Sequence, residues 1–293
     1  MNVMNTKTTA TWRALDLYNG VPESFIKHHI DQGYTAIFPK IGNGLNRWHG
    51  LDQHFIIAKN SGLETWAWWY LYGYEGEGIE IGEHAEALGV SLLALDIETH
   101  WEKRAGFTQL ARERKAKTVL DNIRKSYTGS LALCSWWKPS LHKKTPFKVF
   151  LNECEYNMPQ MYWISRYSSY QAEQLIVESL SEYDSLTGIP HEKTIPVLSS
   201  FGATYGVDGD WWKTTLPQME SAFEKAETLG CEGATWYSTD YLLGKAGHEN
   251  PKEPETEMLN WIAGTTPNPL PQINKTKITV AGNPENYTIT EVN

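Results

Sequence analysis

The sequence predicts an α/β protein folded as a (β/α)8 barrel, the TIM barrel. Three observations carry that reading. Short β-rich runs alternate with longer helical runs eight times between Arg13 and Leu229–Tyr237, and strict alternation implies a parallel sheet with helices outside it. The alternating region closes near Gly264, close to the roughly 250 residues typical of such a barrel. Acidic, amide and aromatic residues gather at the carboxyl ends of the predicted strands, while Leu, Ala, Val and Ile fill the earlier positions. An open doubly wound sheet usually has fewer strands and a glycine-rich first turn.

The elements follow from local chemistry. Arg13–Tyr18 reads as a first strand. Pro22 then opens a helix to about Gln32, where a first-turn proline is tolerated. Tyr34–Phe38 is a second strand, and Leu51–Asn60 a helix stopped by Gly62. Leu63–Leu71 is a very aromatic third strand. Ile79–Leu88 is helical and again ends at a glycine, Gly89. Val90–Ile97 is the fourth strand, Phe107–Tyr127 a long helix with mixed charge, and Ser130–Trp136 the fifth strand. Pro146–Cys154, Ser168–Asp184 and Trp212–Leu229 read as helices. Between them lie strands six (Tyr156–Trp163) and seven (Lys193–Phe201), and strand eight is Glu232–Tyr237. A final helix spans about Glu255–Ala263.

Residues 1–264 are expected to form the barrel and 265–293 a separate tail. Pro267, Pro269 and Pro271 suit a stiff extended linker. Lys277–Val280 and Tyr287–Thr290 read as two short strands, too few to be stable alone. The tail is therefore expected to pair with the barrel, another copy of the chain or a protein partner.

The composition excludes several classes of function. A net charge of −9 argues against a nucleic-acid protein, since phosphate binding needs clustered Lys and Arg. No stretch approaches the roughly 20 apolar residues of a membrane helix, so no membrane partner is expected. Met1–Thr11 lacks the apolar core of a secretory signal. Cys134, Cys154 and Cys231 have no metal-type spacing and read as buried free thiols. No phosphate loop, dinucleotide fingerprint or zinc pattern is present, and neither cofactor nor metal is expected. The 13 Trp and 15 Tyr are conspicuous. Aromatics fill cores, and they are also what sugar rings stack on.

The chemistry centres on Asp96-Ile97-Glu98, at the end of the fourth strand. Strand side chains alternate, so both carboxylates should face the same way. Two acids at the edge of an apolar core have pKa values pushed apart, which keeps one protonated near neutral pH. That suits cleavage of a glycosidic bond, with Glu98 as general acid and Asp96 ionised beside it. Asp16 joins them as a third acid, from the first strand. The other strand ends supply the candidate substrate-binding residues Tyr18, Lys40, Trp69, Tyr70, Trp136, Gln160, Tyr162, Trp236 and Asp240.

Leu15-Asp16-Leu17-Tyr18-Asn19-Gly20 together with Leu95-Asp96-Ile97-Glu98 resembles glycoside hydrolase family 25, the lysozyme-type muramidases of many phage endolysins. Phe38-Pro39-Lys40 followed by Gly42 and Gly44 is similar to that family's second strand. The resemblance spans roughly residues 12–240. It implies that Glu98 is the catalytic acid, Asp96 its partner and Asp16 the first-strand acid. Peptidoglycan is the implied glycan, with Asp16 or the substrate's own acetamido group assisting departure. It also implies a protein made in the cytoplasm that reaches the cell wall after lysis or within a phage particle. The last strand, Ala234-Thr235-Trp236-Tyr237, lacks the acid usual in the family.

Plainer readings accompany each residue. Asp96 and Glu98 could cap the next helix or bridge to Lys103 or Arg104. Gln160 and Tyr162 could complete a buried hydrogen-bond network. In each Trp pair one ring should face the barrel and the other the helices. The glycine-rich acidic run from Glu75 to Glu83 reads as an exposed loop. A barrel that binds sugar, or serves as a virion component without turnover, is the alternative to a hydrolase, because fold alone does not separate them.

Overall fold

The computed structural model describes residues 6–11, 14–103, 107–163, 169–200, 202–204, 211–244 and 254–264. In chain order the elements begin with β1 (Thr6–Thr11), α1 (Pro22–Asp31), β2 (Ala36–Asn43), β3 (Asn46–Arg47), α2 (Asp52–Asn60), β4 (Glu64–Tyr70) and α3 (Glu77–Leu88). They continue with β5 (Leu92–Ile97), α4 (Thr99–Glu102), α5 (Gln109–Ile123), β6 (Ser130–Trp136), α6 (Phe147–Glu153), β7 (Tyr156–Met161) and α7 (Ser169–Thr187). The last are β8 (Val197–Ser199), β9 (Gly202–Thr204), β10 (Trp211–Lys213), α8 (Leu216–Thr228), β11 (Gly233–Tyr237), α9 (Thr239–Leu242) and α10 (Thr256–Gly264).

Eight of these strands make a closed parallel barrel. They run β1-β2-β4-β5-β6-β7-β8-β11 around the ring, and β11 returns to β1 through pairs from Thr6↔Gly233 to Ala10↔Tyr237. The seam on the other side of β1 is the pair Ala10↔Phe38 and Thr11↔Pro39. β3 hooks antiparallel onto the end of β2, and β9 and β10 form a separate hairpin.

Alternation sorts the side chains into two layers. Ala10, Phe38, Trp66, Trp68, Ala94, Ala132, Cys134, Met158 and Val197 fill the barrel interior. Their neighbours Ile37, Ala67, Trp69, Leu93, Leu95 and Leu133 pack outward with residues of α1, α2, α3, α5 and α6. Met161, Leu198, Ala234 and Trp236 do the same beside α7, α8 and α10. All three cysteines are buried free thiols. Among the described residues no helix is long and apolar enough to cross a membrane.

The first strand lies earlier than the sequence reading places it. β1 is Thr6–Thr11, and Ala14–Gly20 is instead a broken 3-10 segment. Tyr18 and Asn19 there have φ of 52° and 56°, a left-handed backbone that cannot continue a strand. The cause of the misplacement is polarity. Thr is a good strand former, but the run Thr-Lys-Thr-Thr-Ala-Thr has no hydrophobic signature. Its hydroxyls are satisfied within the barrel: Thr8 donates to the Ala36 carbonyl at 2.6 Å, and Thr9 to the Trp236 carbonyl at 3.0 Å. Lys7 is buried and its ammonium donates to the Ile262 carbonyl at the end of α10.

Other differences are smaller. Strand seven is shorter than expected, at Val197–Ser199, and α8 begins at Leu216 behind a Thr215–Gln218 capping box. The acidic run around Glu75–Glu83 is largely helix α3, not a loop, and Glu77 is fully buried. The tail strands expected at Lys277–Val280 and Tyr287–Thr290, and residues 265–293 as a whole, lie outside the described residues.

Between α1 and α2 sits a group of buried histidines. His29 packs on Phe25 at 4.3 Å between ring centroids, and His54 packs on the other side of Phe25 at 5.3 Å. Burial holds His28 down to about 4 and His29 to about 3. Each is neutral when folded, whereas the unfolded chain takes up protons from about 6.5 downward. Stability is therefore complete above that pH and is lost as pH falls toward 4. For His28 alone the loss approaches ~3 kcal/mol across that interval. Thermal unfolding followed from pH 7 to pH 4 is expected to show this decline, and His29→Phe is expected to flatten it. A midpoint insensitive to pH over that range would contradict the account.

Candidate active site

The carboxyl ends of β4, β5, β6, β7 and β11 converge on Asp96 and Glu98. β5 runs Leu92-Leu93-Ala94-Leu95-Asp96-Ile97 and is buried throughout. Leu92, Ala94 and Asp96 thus share the inner face, and Glu98 follows in phase at the mouth. Asp96 is level with Tyr70 on β4 and Cys134 on β6. Glu98 precedes α4 but makes no capping bond with its side chain. Among the described residues it forms no ion pair with Lys103, and Arg104 lies outside them. The carboxylate is left for the mouth.

Gln160 on β7 ties the pair together. Its amide nitrogen donates to Asp96 Oδ1 at 2.8 Å and to Glu98 Oε1 at 3.0 Å, and lies 3.7 Å from Cys134 Sγ. Two acceptors on one nitrogen use both amide hydrogens. The Tyr70 hydroxyl favours the charged form of Glu98, and lies 3.2 Å from His100 Nδ1.

Lys40, 2% exposed at the end of β2, supplies the buried cation. Its ammonium lies 4.6 Å from the Trp68 ring, 5.2 Å from Trp48 and 5.6 Å from Tyr70. Burial lowers it to about 8, and the charges of Asp96 and Glu98 act against that fall. Aromatic faces replace part of the lost hydration.

Burial and the neighbouring Glu98 charge raise the Asp96 carboxyl well above the ordinary range, with Lys40 and Gln160 opposing. Burial raises Glu98 too, and its hydrogen bond from Gln160 opposes that rise, with Tyr70 and Asp96 acting in the same sense. Both carboxyls are thus pushed toward their protonated forms, Asp96 from one layer further into the barrel.

The structure brings together Asp96, Glu98, Lys40, Tyr70 and Gln160. Tyr162 joins them at the rim, its ring 5.7 Å from that of Tyr237. Asp240 is buried on α9, where its charge acts on the Tyr237 hydroxyl, which also feels Asp96 and Glu98. Asp16 is exposed on the 3-10 segment that follows β1. Three expected residues point elsewhere. Tyr18 packs on α1, 5.7 Å from the His28 ring. Trp69 points outward, with its indole donating to the Gly44 carbonyl at 3.3 Å. Trp236 is fully buried against Phe223 and Trp261. Trp136 is half-buried and stacks on His142 at 4.4 Å, at the edge of the helical layer.

Two residues that the sequence reading passed over take the places of the outward ones. Trp68 and Tyr237 face inward, each one position from the residue chosen. Counting by two from Asp96 across the Tyr70–Asp96 register would have found Trp68. A separate cavity of about 540 Å³, with Thr145, Phe147 and Glu182 in its wall, lies among α5, α6 and α7 outside the barrel. It does not reach the acid pair.

The sequence matches no family model and no curated protein. Solved structures do match in shape. A class V chitinase from Pseudomonas fluorescens Pf-5 superposes with a TM-score of 0.59 at 11% identity, over 83% of this chain and 96% of that one. An endo-1,4-beta-D-mannanase from Thermotoga petrophila RKU-1 gives 0.60 at 10% identity, over 88% and 99%. Human YKL-39, described as a pseudo-chitinase with retained chitooligosaccharide binding, gives 0.58 at 10%, over 89% and 99%. At this identity the likeness establishes the barrel. The neighbours are glycoside hydrolase barrels of several kinds and do not single out the muramidase family.

The bridging amide and the buried cation each have a measurable consequence. Gln160→Leu removes a donor shared by two buried carboxylates and is expected to cost about 1–3 kcal/mol of stability. Lys40→Met is expected to move the titration of the pair upward, read by carbon NMR of labelled Asp and Glu carboxyls. An unchanged titration would take Lys40 out of the field at the pair.

Proposed function

We propose that this chain is a glycoside hydrolase acting on a polymer of N-acetylated amino sugars, with bacterial peptidoglycan its leading substrate. The observation that carries the reading is the pair of carboxyls, Asp96 and Glu98, bridged by the Gln160 amide at the mouth of a barrel with the buried Lys40 ammonium in their field. Several neighbours in fold are glycosidases, and chitin-type polymers recur among them. The Asp-Ile-Glu ending of β5 supports the resemblance to family 25, whereas the Asp16 half of that resemblance has no barrel strand beneath it.

The reaction runs through Glu98. Its carboxyl, raised by burial, delivers its proton to the departing glycosidic oxygen as the bond to the anomeric carbon breaks. Asp96 lies deeper in the barrel, bonded to Gln160, and Asp16 is exposed on another segment. The substrate's 2-acetamido oxygen is thus the group that closes on the anomeric carbon and carries the developing positive charge. Water then opens that ring, returning its proton to Glu98. This route requires an N-acetyl group beside the cleaved bond, which is why the substrate class is amino-sugar polymers and not mannan.

A non-catalytic carbohydrate-binding barrel is the second reading, favoured by the chitooligosaccharide-binding pseudo-chitinase among the neighbours. Turnover separates the two. Wild-type protein is expected to clear purified peptidoglycan or colloidal chitin, and Glu98→Gln to lose about 10²–10⁴-fold in kcat with an unchanged circular dichroism spectrum. Asp96→Asn is expected to lose activity as well, because it breaks up the carboxyl pair that Gln160 bridges. Glycan binding without turnover by wild type would establish the second reading, and equal rates for wild type and Glu98→Gln would remove Glu98 from the chemistry.

A further inference from the structure

Beyond the acid pair, the loop that follows β4 carries a second feature. Its rings step outward from Glu98. Tyr70 stands level with Asp96 on the neighbouring strand; Tyr72 lies 5.0 Å from Tyr70 between ring centroids; Tyr74 stacks on Tyr72 at 5.2 Å, with only 5° between the planes. His100 closes against Tyr72 at 4.3 Å. Tyr74 is 43% exposed, so the ladder runs from the acid pair to solvent.

This loop is held by an unusual clamp. Glu77 is fully buried, and its two carboxylate oxygens accept from the Tyr72 amide at 2.9 Å and the Tyr74 amide at 2.7 Å. Burial raises the Glu77 carboxyl, and these two amides lead the groups that oppose the rise. A buried charge is costly unless fully hydrogen-bonded, and here the donors are the backbone that carries the two rings. Gly44 braces the rings from beneath: a Cβ there would lie 2.9 Å from Tyr72 Cδ2 and 3.1 Å from Tyr74 Cε2. The base of the loop is tied to the acid strand itself, through Leu71 N to the Asp96 carbonyl at 2.8 Å and Trp101 Nε1 to the Leu71 carbonyl at 2.9 Å.

We propose that Tyr74, backed by Tyr72 and held in place by Glu77, forms a sugar-stacking subsite that takes a pyranose ring further along the same glycan chain. The inference rests on the glycan reading of the acid pair and extends it to chain length. Aromatic faces with hydroxyl rims suit the apolar face of a sugar and its equatorial hydroxyls. A nucleic-acid base would stack equally well, but the carboxylates nearby and the net charge of −9 oppose phosphate. Glu77 touches no substrate in this arrangement and is a positioning residue.

The test is calorimetric binding to β-linked N-acetylglucosamine oligomers, from dimer to hexamer, and to soluble peptidoglycan strands, in a Glu98→Gln background that prevents cleavage. Affinity is expected to rise with length. Tyr74→Ala should lose about tenfold on the long oligomers and leave the dimer unchanged, with Tyr74→Phe retaining most of the gain. Glu77→Gln should reduce the length dependence while far-ultraviolet circular dichroism stays the same. Equal affinity of Tyr74→Ala and its parent for every length would overturn the subsite and leave the glycan reading standing. No binding of any glycan by the background protein would overturn both.

Discussion

The structure turns on two carboxylates that the barrel forces into one another's company. Asp96 and Glu98 sit two residues apart on one strand face, and the strand is buried to its end. Asp96 is cut off from water, and neither acid can ionise freely beside the other. What surrounds them answers that constraint. Gln160 supplies both amide hydrogens, Tyr70 a hydroxyl, and Lys40 a charge. Those groups come from β7, β4 and β2, so the electrostatic problem posed by one strand is solved only when the ring closes.

The same constraint explains the aromatic lining. An ammonium buried as deeply as that of Lys40 loses its hydration, and Trp48, Trp68 and Tyr70 present their faces to it. Glu77 repeats the principle on the next loop. There a buried carboxylate with a full set of donors fixes backbone instead of performing chemistry. The molecule thus uses buried acids in two ways, distinguished by what donates to them: side chains from several strands at Asp96 and Glu98, and loop amides at Glu77.

Where the sequence could be read directly, the reason is local. The alternation of β-rich and helical runs, the glycines that stop α2 and α3, and the apolar stretch leading into Asp96-Ile97-Glu98 depend on neighbours in the chain. Gln160, Lys40 and Tyr70 were also legible, because each is a polar residue at the end of an otherwise apolar strand. Misreadings cluster where local signals are weak or double. β1 is a run of threonines whose hydroxyls bond to carbonyls of other strands, so its burial has no hydrophobic pattern. Its loss displaced Asp16 and Tyr18 from the site. Trp68-Trp69 and Trp236-Tyr237 offer two aromatics for one inward place, and a shift of one residue exchanges barrel interior for helical layer.

The sequence by itself determined the barrel, the acid pair and the direction in which both acids face, because strand geometry converts spacing into orientation without further information. Tertiary structure alone decided how deeply each acid is buried, which donors reach the pair, and which ring of each aromatic pair meets the mouth. Those outcomes depend on depth, on register between strands and on donors far away in the chain, and none of these is a property of any short stretch of residues.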